Sequence, residues 1–269
     1  MSGTSDLPKI DPSKPSVARV YDFLLGGKDN FASDREMAAK VVERSPGIAE
    51  TAWMNKEFGA RATRYMAEFG KIRQFIDLGS GIPTSPPSIH DVARGVSFGA
   101  RVVYVDADPV VVAHSRALRE IGPGLVTILA DLRNPEAILS DPQLLDLIDF
   151  DKPVGIGLYS VMQTVIDDAE AMDIMQTVVD HMAPGSYLGL SHVSKDHSDP
   201  AAVAGIMQSQ SETGYPSLVV RSDEQILELF CGCELVPPGL TDLREWRVDE
   251  DEEQPVVDTT LYGGVGRKP

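Results

Sequence analysis

Residues 75–81 read Phe-Ile-Asp-Leu-Gly-Ser-Gly, an apolar run that ends in two glycines one residue apart. No other feature of the chain restricts its fold as tightly. A short apolar run bounded by glycine reads as a buried strand. Glycine at 79 and 81 permits a tight turn and lets a ligand approach the backbone. A helix starting beyond the turn points free N–H groups at that ligand. Strand, glycine turn and helix together open a Rossmann-like nucleotide site, with the ligand at the C-terminal ends of the strands.

The pattern continues downstream. Strand patterns at 73–78, 101–106, 125–130, 154–159 and 186–192 alternate with helical stretches at 88–95, 109–118 and 167–182. Such alternation builds parallel βαβ units with right-handed crossovers, and apolar strands of this kind are covered by helices on both faces. A helix over 222–230 then precedes segments 234–236 and 259–262, which are expected to pair as a terminal antiparallel hairpin. Before residue 71 no strand pattern occurs. Ser16 is placed to cap a helix that stops at Gly26-Gly27, Asp34 to cap a second, and residues 50–69 form a longer third. Pro8, Pro12 and Pro15 mark a loose arm ahead of them. The expected chain is thus α/β and Rossmann-like over 71–269, with an N-terminal arm and helical cap over 1–70 in the same structural unit.

The acids at the strand ends point to the ligand. The dinucleotide fingerprint needs a third small residue where this chain has Thr84, and Pro83, Pro86 and Pro87 stiffen the turn. That turn is longer than a pyrophosphate cradle requires, which counts against NAD and for S-adenosylmethionine (SAM), a ligand without pyrophosphate. Asp106 ends the second strand, where a carboxylate accepts from both ribose hydroxyls. Asp131 ends the third and is placed to accept from an adenine amine, with Leu132 packed on the ring. Asp77 lies where an ammonium group would sit. A lone Asp after a strand is more often a helix cap. Three in sequence order match a ligand with a ribose, an exocyclic amine and two cationic centres. The expected contacts include Gly79, Ser80, Gly81 and Ala107, with Tyr159 and Ser160 at the fourth strand end.

Composition narrows the function classes. The net charge is −17, so the protein's field repels a phosphate backbone and nucleic acid is a poor partner. The acidic run at 249–253 reads as a solvated loop. No apolar run is long enough for a membrane span, and the N-terminus lacks the basic start and apolar core of a signal peptide. With Cys231 and Cys233 as the only cysteines, neither a disulfide framework nor a metal cluster is expected, and the location read from this is cytoplasmic.

Six segments carry a family resemblance: Pro15-Ser-Val-Ala-Arg-Val-Tyr-Asp-Phe-Leu-Leu-Gly-Gly-Lys-Asp-Asn30, Phe75-Ile-Asp-Leu-Gly-Ser-Gly-Ile-Pro-Thr84, Val102-Val-Tyr-Val-Asp-Ala-Asp-Pro109, Ala130-Asp-Leu-Arg133, Ala183-Pro-Gly-Ser-Tyr-Leu188 and Tyr262-Gly-Gly-Val-Gly-Arg-Lys268. On these the chain resembles the actinobacterial S-adenosyl methyltransferase family, within the class I methyltransferases. The resemblance implies a seven-stranded, mostly parallel sheet, SAM as cofactor and S-adenosylhomocysteine (SAH) as product. It also favours a lid around Leu25-Gly-Gly-Lys-Asp-Asn30 that touches SAM through Tyr21, Gly26 and Asn30. The competing reading of that segment is a helix stop and turn. At position 163 the resemblance implies His beside the reacting methyl group, and this chain has Gln163. Gln takes no proton at neutral pH, which counts against a general base there.

Methyl transfer from a sulfonium is an in-line displacement with a neutral leaving group, so orientation dominates catalysis. Tyr159, Gln163 and His192 are the candidate catalytic positions, and His197 is a further candidate base. The more ordinary reading of His192 is a hydrogen-bonded residue at a strand end, and His192, Asp196 and His197 have no metal-site spacing. Two functions stay open: a methyltransferase for a small-molecule acceptor, and a SAM-binding sensor without turnover. An NAD-dependent oxidoreductase is disfavoured by Thr84. Neither the acceptor nor the oligomeric state is legible.

Overall fold

The computed structural model describes residues 10–84, 87–213, 215–248 and 255–269. The first nine residues of the arm, Pro86 and the acidic run at 249–253 lie outside the described residues. Among the described residues no helix is long and apolar enough to cross a membrane.

Three helices come first: α1 (Val17–Leu24), α2 (Ala32–Arg44) and α3 (Ile48–Glu68). Strand β1 (Gln74–Leu78) is followed by α4 (Ile89–Val96), β2 (Arg101–Asp106), α5 (Pro109–Leu118) and β3 (Leu125–Leu129). Two short helices, α6 (Pro135–Leu139) and α7 (Pro142–Leu145), lead to β4 (Gly155–Tyr159). A 3-10 turn at Met162–Thr164, α8 (Asp168–His181), β5 (Tyr187–Val193), α9 (Pro200–Thr213) and α10 (Asp223–Glu228) come next. The chain closes with β6 (Glu234–Leu235), β7 (Thr241–Asp242) and β8 (Leu261–Arg267).

The sheet runs β3-β2-β1-β4-β5-β8-β6, with β7 also paired to β8. The first five strands are mutually parallel, and β8 is antiparallel to β5. This is the expected Rossmann-like α/β sheet with antiparallel strands at its end. The terminal pairing differs in register. Glu234 faces Arg267 and Leu235 faces Gly266, whereas Tyr262 and Gly263 face β7. Because β8 begins at Leu261 and continues to Arg267, segment 234–236 meets its far end rather than 259–262. Asp34 is also displaced from its expected role: Phe31 holds the N-cap position of α2, and Asp34, two residues inside the helix, accepts from the Phe31 N–H at 2.7 Å.

Alternation along the strands divides the core. Ile76, Leu78, Val103, Val105, Ile156 and Leu158 pack under the α8 side of the sheet. Phe75, Val102, Tyr104 and Tyr187 face the other way, against Phe58, Ala62 and Met66 of α3. With a strand period of two, Asp77 shares the α3 face with Phe75. Helix α3 is therefore a layer of the sheet domain. The cap is α1 and α2 joined by α9, through Val20, Met37, Val41 and Tyr215 with Ile206 and Leu218 against them. Order along the chain reverses between β1 and β4, and the crevice that opens there lies at the strand ends Leu78, Asp106 and Tyr159.

Candidate cofactor site

A cavity of about 690 Å³ occupies this crevice, within the range of ligand sites, roughly 300–1,000 Å³. Its floor is the glycine turn. Gly79 and Gly81 have φ of +76° and +62°, a region that residues with a side chain enter only at a cost. A side chain at 79 would also run into Val161. Arg119, at the end of α5 and missed in the sequence, supports the turn from below. It donates to the carbonyls of Gly81 and Ser80 at 3.1 and 3.4 Å and stacks 4.4 Å from the centre of the Tyr104 ring. Its Nε and the Ser80 Oγ, both buried, have no partner among the described residues.

Asp77 and Asp106 set the electrostatics. Asp77 is 7% exposed, and no hydrogen bond or ion pair of its carboxylate is found among the described residues. Burial pushes its pKa up to about 6, opposed by the charge of Arg119 and aided by Asp106. Asp106 is likewise raised to about 6 by burial, while the backbone N–H groups of Asp108 and Gly81, both at 2.9 Å, pull it back. Asp131 and Leu132 line the far end, with Asp131 accepting from the Arg133 N–H at 2.9 Å. Lys56 of α3 lines the opposite wall, 3.1 Å from Thr84 Oγ1.

The roof is the N-terminal segment. Arg19 donates to Asp34 at 2.8 Å, to Asp108 at 3.0 Å and to the Lys14 carbonyl at 2.7 Å. Ser16 Oγ donates to the same Asp108 oxygen at 2.6 Å. Tyr21 lines the cavity, and its hydroxyl is held between the Ala52 carbonyl at 2.8 Å and Asn55 Nδ2 at 2.9 Å.

Most of the residues expected from the sequence converge here: Tyr21, Asp77, Gly79, Ser80, Gly81, Asp106, Ala107, Asp131, Leu132, Tyr159 and Ser160 all line the cavity. Gly26 and Asn30 do not. Gly26 ends α1 at φ +76°, and Asn30 Nδ2 donates to Asp22 and to the Gly27 carbonyl. That segment acts as the helix stop and turn. The catalytic candidates are dispersed. The Tyr159 ring folds back over Gly157 and Gly189, edge-on to Phe58, and burial keeps its phenol protonated. His192 is fully buried, its Nε2 accepting from Arg221 at 2.9 Å. Burial, reinforced by the Arg221 charge, takes its pKa down to about 4, so it is neutral at pH 7. His197 stacks on Tyr262 and pairs with Asp223 at 2.8 Å, away from the cavity. Gln163 lines a second, smaller cavity next door.

Comparison with known proteins decides the family. The family model described as S-adenosyl methyltransferase matches residues 4–269. The chain belongs to this family. Two solved structures are similar over almost their whole length. A candidate methyltransferase from Thermobifida fusca is 37% identical, with 98% of this chain and 99% of that one covered and a TM-score of 0.89. A DUF574-family protein from Streptomyces avermitilis is 31% identical, with 97% and 100% covered and a TM-score of 0.90. No functionally curated protein matches the sequence. As a member of this family the chain has a glycine turn, a buried acid and a β2-end carboxylate around one cavity, and these residues fit the cofactor that the family's name carries.

Proposed function

We propose that this protein transfers the SAM methyl group to a small-molecule acceptor. One observation carries the reading: Asp77 is a buried carboxylate whose ionisation the fold opposes, it has no hydrogen-bonded partner among the described residues, and it opens into the cavity. Such a group calls for a cation from the ligand. The ammonium group of SAM supplies one, and Lys56 is placed for its carboxylate. Asp106 keeps free lone pairs for the ribose hydroxyls beside the two N–H groups it already accepts. Asp131 and Leu132 would take the adenine, and the Ser80 hydroxyl, without a partner among the described residues, a further polar group.

SAM, when bound, supplies an electrophilic methyl and leaves as neutral SAH. The protein's part is orientation, which is able to contribute about 7–11 kcal/mol. The N-terminal roof covers one side of the cavity, and Ser160 marks the wall where the acceptor would approach. Ser160 is held at φ +59°, a conformation that non-glycine residues adopt at a cost, typically at functional positions. A net charge of −17 argues against nucleic acid as acceptor, and a cytoplasmic setting fits the two unpaired cysteines. Family membership favours transfer over a SAM-binding sensor.

Calorimetry with SAH and with NAD tests the cofactor: SAH binds and NAD does not. Tight NAD binding with no response to SAH would overturn the reading. Release of SAH, when SAM-loaded protein meets a low-molecular-weight cell fraction, tests transfer. Persistent absence of turnover despite SAM binding would return the sensor.

A further inference from the structure

Beside the cofactor cavity lies a second one of about 120 Å³. It is walled by the cap on one side and the ends of β4, β5 and β8 on the other. Val17, Tyr21 and Ser160 line both cavities, so the two meet at a shared wall. We propose that this second cavity, lined by Val20, Leu24, Val41, Ile206, Leu218 and Gln163, is the acceptor subsite, and that it takes an uncharged single ring bearing one hydrogen-bond donor directed at Gln163. The proposal rests on the reading of the larger cavity as the SAM site.

Three observations carry it. The first is size. An engineered apolar cavity of about 150 Å³ stays dry and takes up benzene, so this one matches a single ring or a compact branched chain. The second is polarity. Aliphatic side chains dominate the wall, and among the described residues no charged side chain lines it. A phosphate, a carboxylate or a protonated amine would be stripped of water with nothing to balance it. The third is the Gln163 amide. It is 6% exposed, its Nε2 donates to Ser160 Oγ at 2.5 Å, and its Oε1 is buried with no partner among the described residues. An orphaned acceptor in an apolar wall calls for a donor from the ligand. Arg221 fixes the turn that presents Gln163, donating to the carbonyls of Met162 at 3.0 Å and Val165 at 2.8 Å. Gln163 is thus a residue of specificity: its amide takes up a hydrogen bond without taking a proton.

Phenol, toluene and benzonitrile share one ring and differ in being donor, apolar and acceptor only. They are titrated by NMR into SAH-saturated protein. Phenol is expected to bind roughly five- to tenfold more tightly than toluene, the scale of one buried hydrogen bond. Gln163→Met abolishes that preference while toluene binding stays. Leu218→Trp fills the cavity and removes both, with SAH affinity retained. If Leu218→Trp does not fold, Ile206→Phe fills the same space. Toluene or benzonitrile binding as well as phenol would overturn the donor assignment, and phenol binding undiminished in the filled variants would overturn the location. Failure of every ring to bind a protein that binds SAH overturns the subsite alone. Failure to bind SAH overturns the cofactor reading and this one with it.

Discussion

Asp77→Asn should make the ligand-free protein more stable and its cofactor complex weaker. The Asp77 carboxyl is raised from its ordinary 3.8 to about 6, with burial the main cause. A shift of about two pH units at 1.36 kcal/mol each is about 3 kcal/mol of penalty for holding the charge in the fold at neutral pH. The direction follows from linkage. Between about pH 4 and 6 the folded state binds more protons than the unfolded chain, so stability falls as pH rises through that window. The penalty is absent below about pH 4 and complete above about pH 6. Asn keeps the shape and removes the charge. At pH 7.5 the variant should gain up to about 3 kcal/mol, or about 6–12 °C in melting temperature at 2–4 °C per kcal/mol. At pH 4 the two proteins should melt together. With SAH the order reverses, because the ligand's ammonium relieves the wild-type charge and meets no carboxylate in the variant. Affinity at pH 7.5 should drop at least tenfold, about 1.4 kcal/mol or more. Melting curves at both pH values and calorimetry with SAH read all of this. A variant that is less stable when empty, or that binds SAH as tightly as wild type, would refute the argument that Asp77 is a charge kept for the ligand.

Asp106→Ala should weaken SAH binding by more than about 1 kcal/mol by calorimetry; unchanged affinity would mean that the ribose contact is misassigned. Gly79→Ala should cost about 2 kcal/mol or more, since it adds a clash with Val161 to the left-handed strain. Gly81→Ala, with open space around its Cβ position, should cost only about 1–2 kcal/mol, and equal losses in urea unfolding would sink the steric argument. Arg19→Ala leaves the fully buried Asp34 without its cation, held only by the Ser16 and Phe31 N–H groups, and should cost about 3 kcal/mol, read by denaturant melts. For His192, with its pKa near 4, the imidazole NMR shift should stay constant from pH 8 to about 5 and move only below that.

The sheet was legible because its signal is local. Each central strand is a short apolar run, and β2 and α5 fall where hydrophobic pattern and Pro109 place them. The strand-end acids were legible because a parallel sheet delivers its C-terminal ends to one edge. What escaped depends on contacts distant in sequence. Helix α9 is rich in Ala, Ser and Gln and shows little amphipathic pattern, yet Ile206 packs on the cap. Helices α6 and α7 did carry a local signal, the Asn134-Pro135 and Asp141-Pro142 pairs of an N-cap followed by proline. Arg119 looks like one more helix-terminal arginine until the fold sets it beneath the glycine turn. Asn30 is the opposite case: its motif is conspicuous, but the fold turns its amide to Asp22 and Gly27 rather than to the cavity.

The ion cluster of the roof has a kinetic consequence. Asp108, which Arg19 and Ser16 grip, is two residues from Asp106, and the Asp108 N–H is bonded to the Asp106 carboxylate. The roof and Asp106, the residue proposed to hold the ribose, thus share one loop. We predict that α1 gates cofactor exchange by releasing that loop: association of SAH should then run below the rate of free encounter, and dissociation should follow cap opening. Because Arg19 and Asp34 are buried, added salt should hardly change either rate. Stopped-flow association at low and high ionic strength would expose a door that is instead held by solvent-exposed charge, as a strong acceleration by salt.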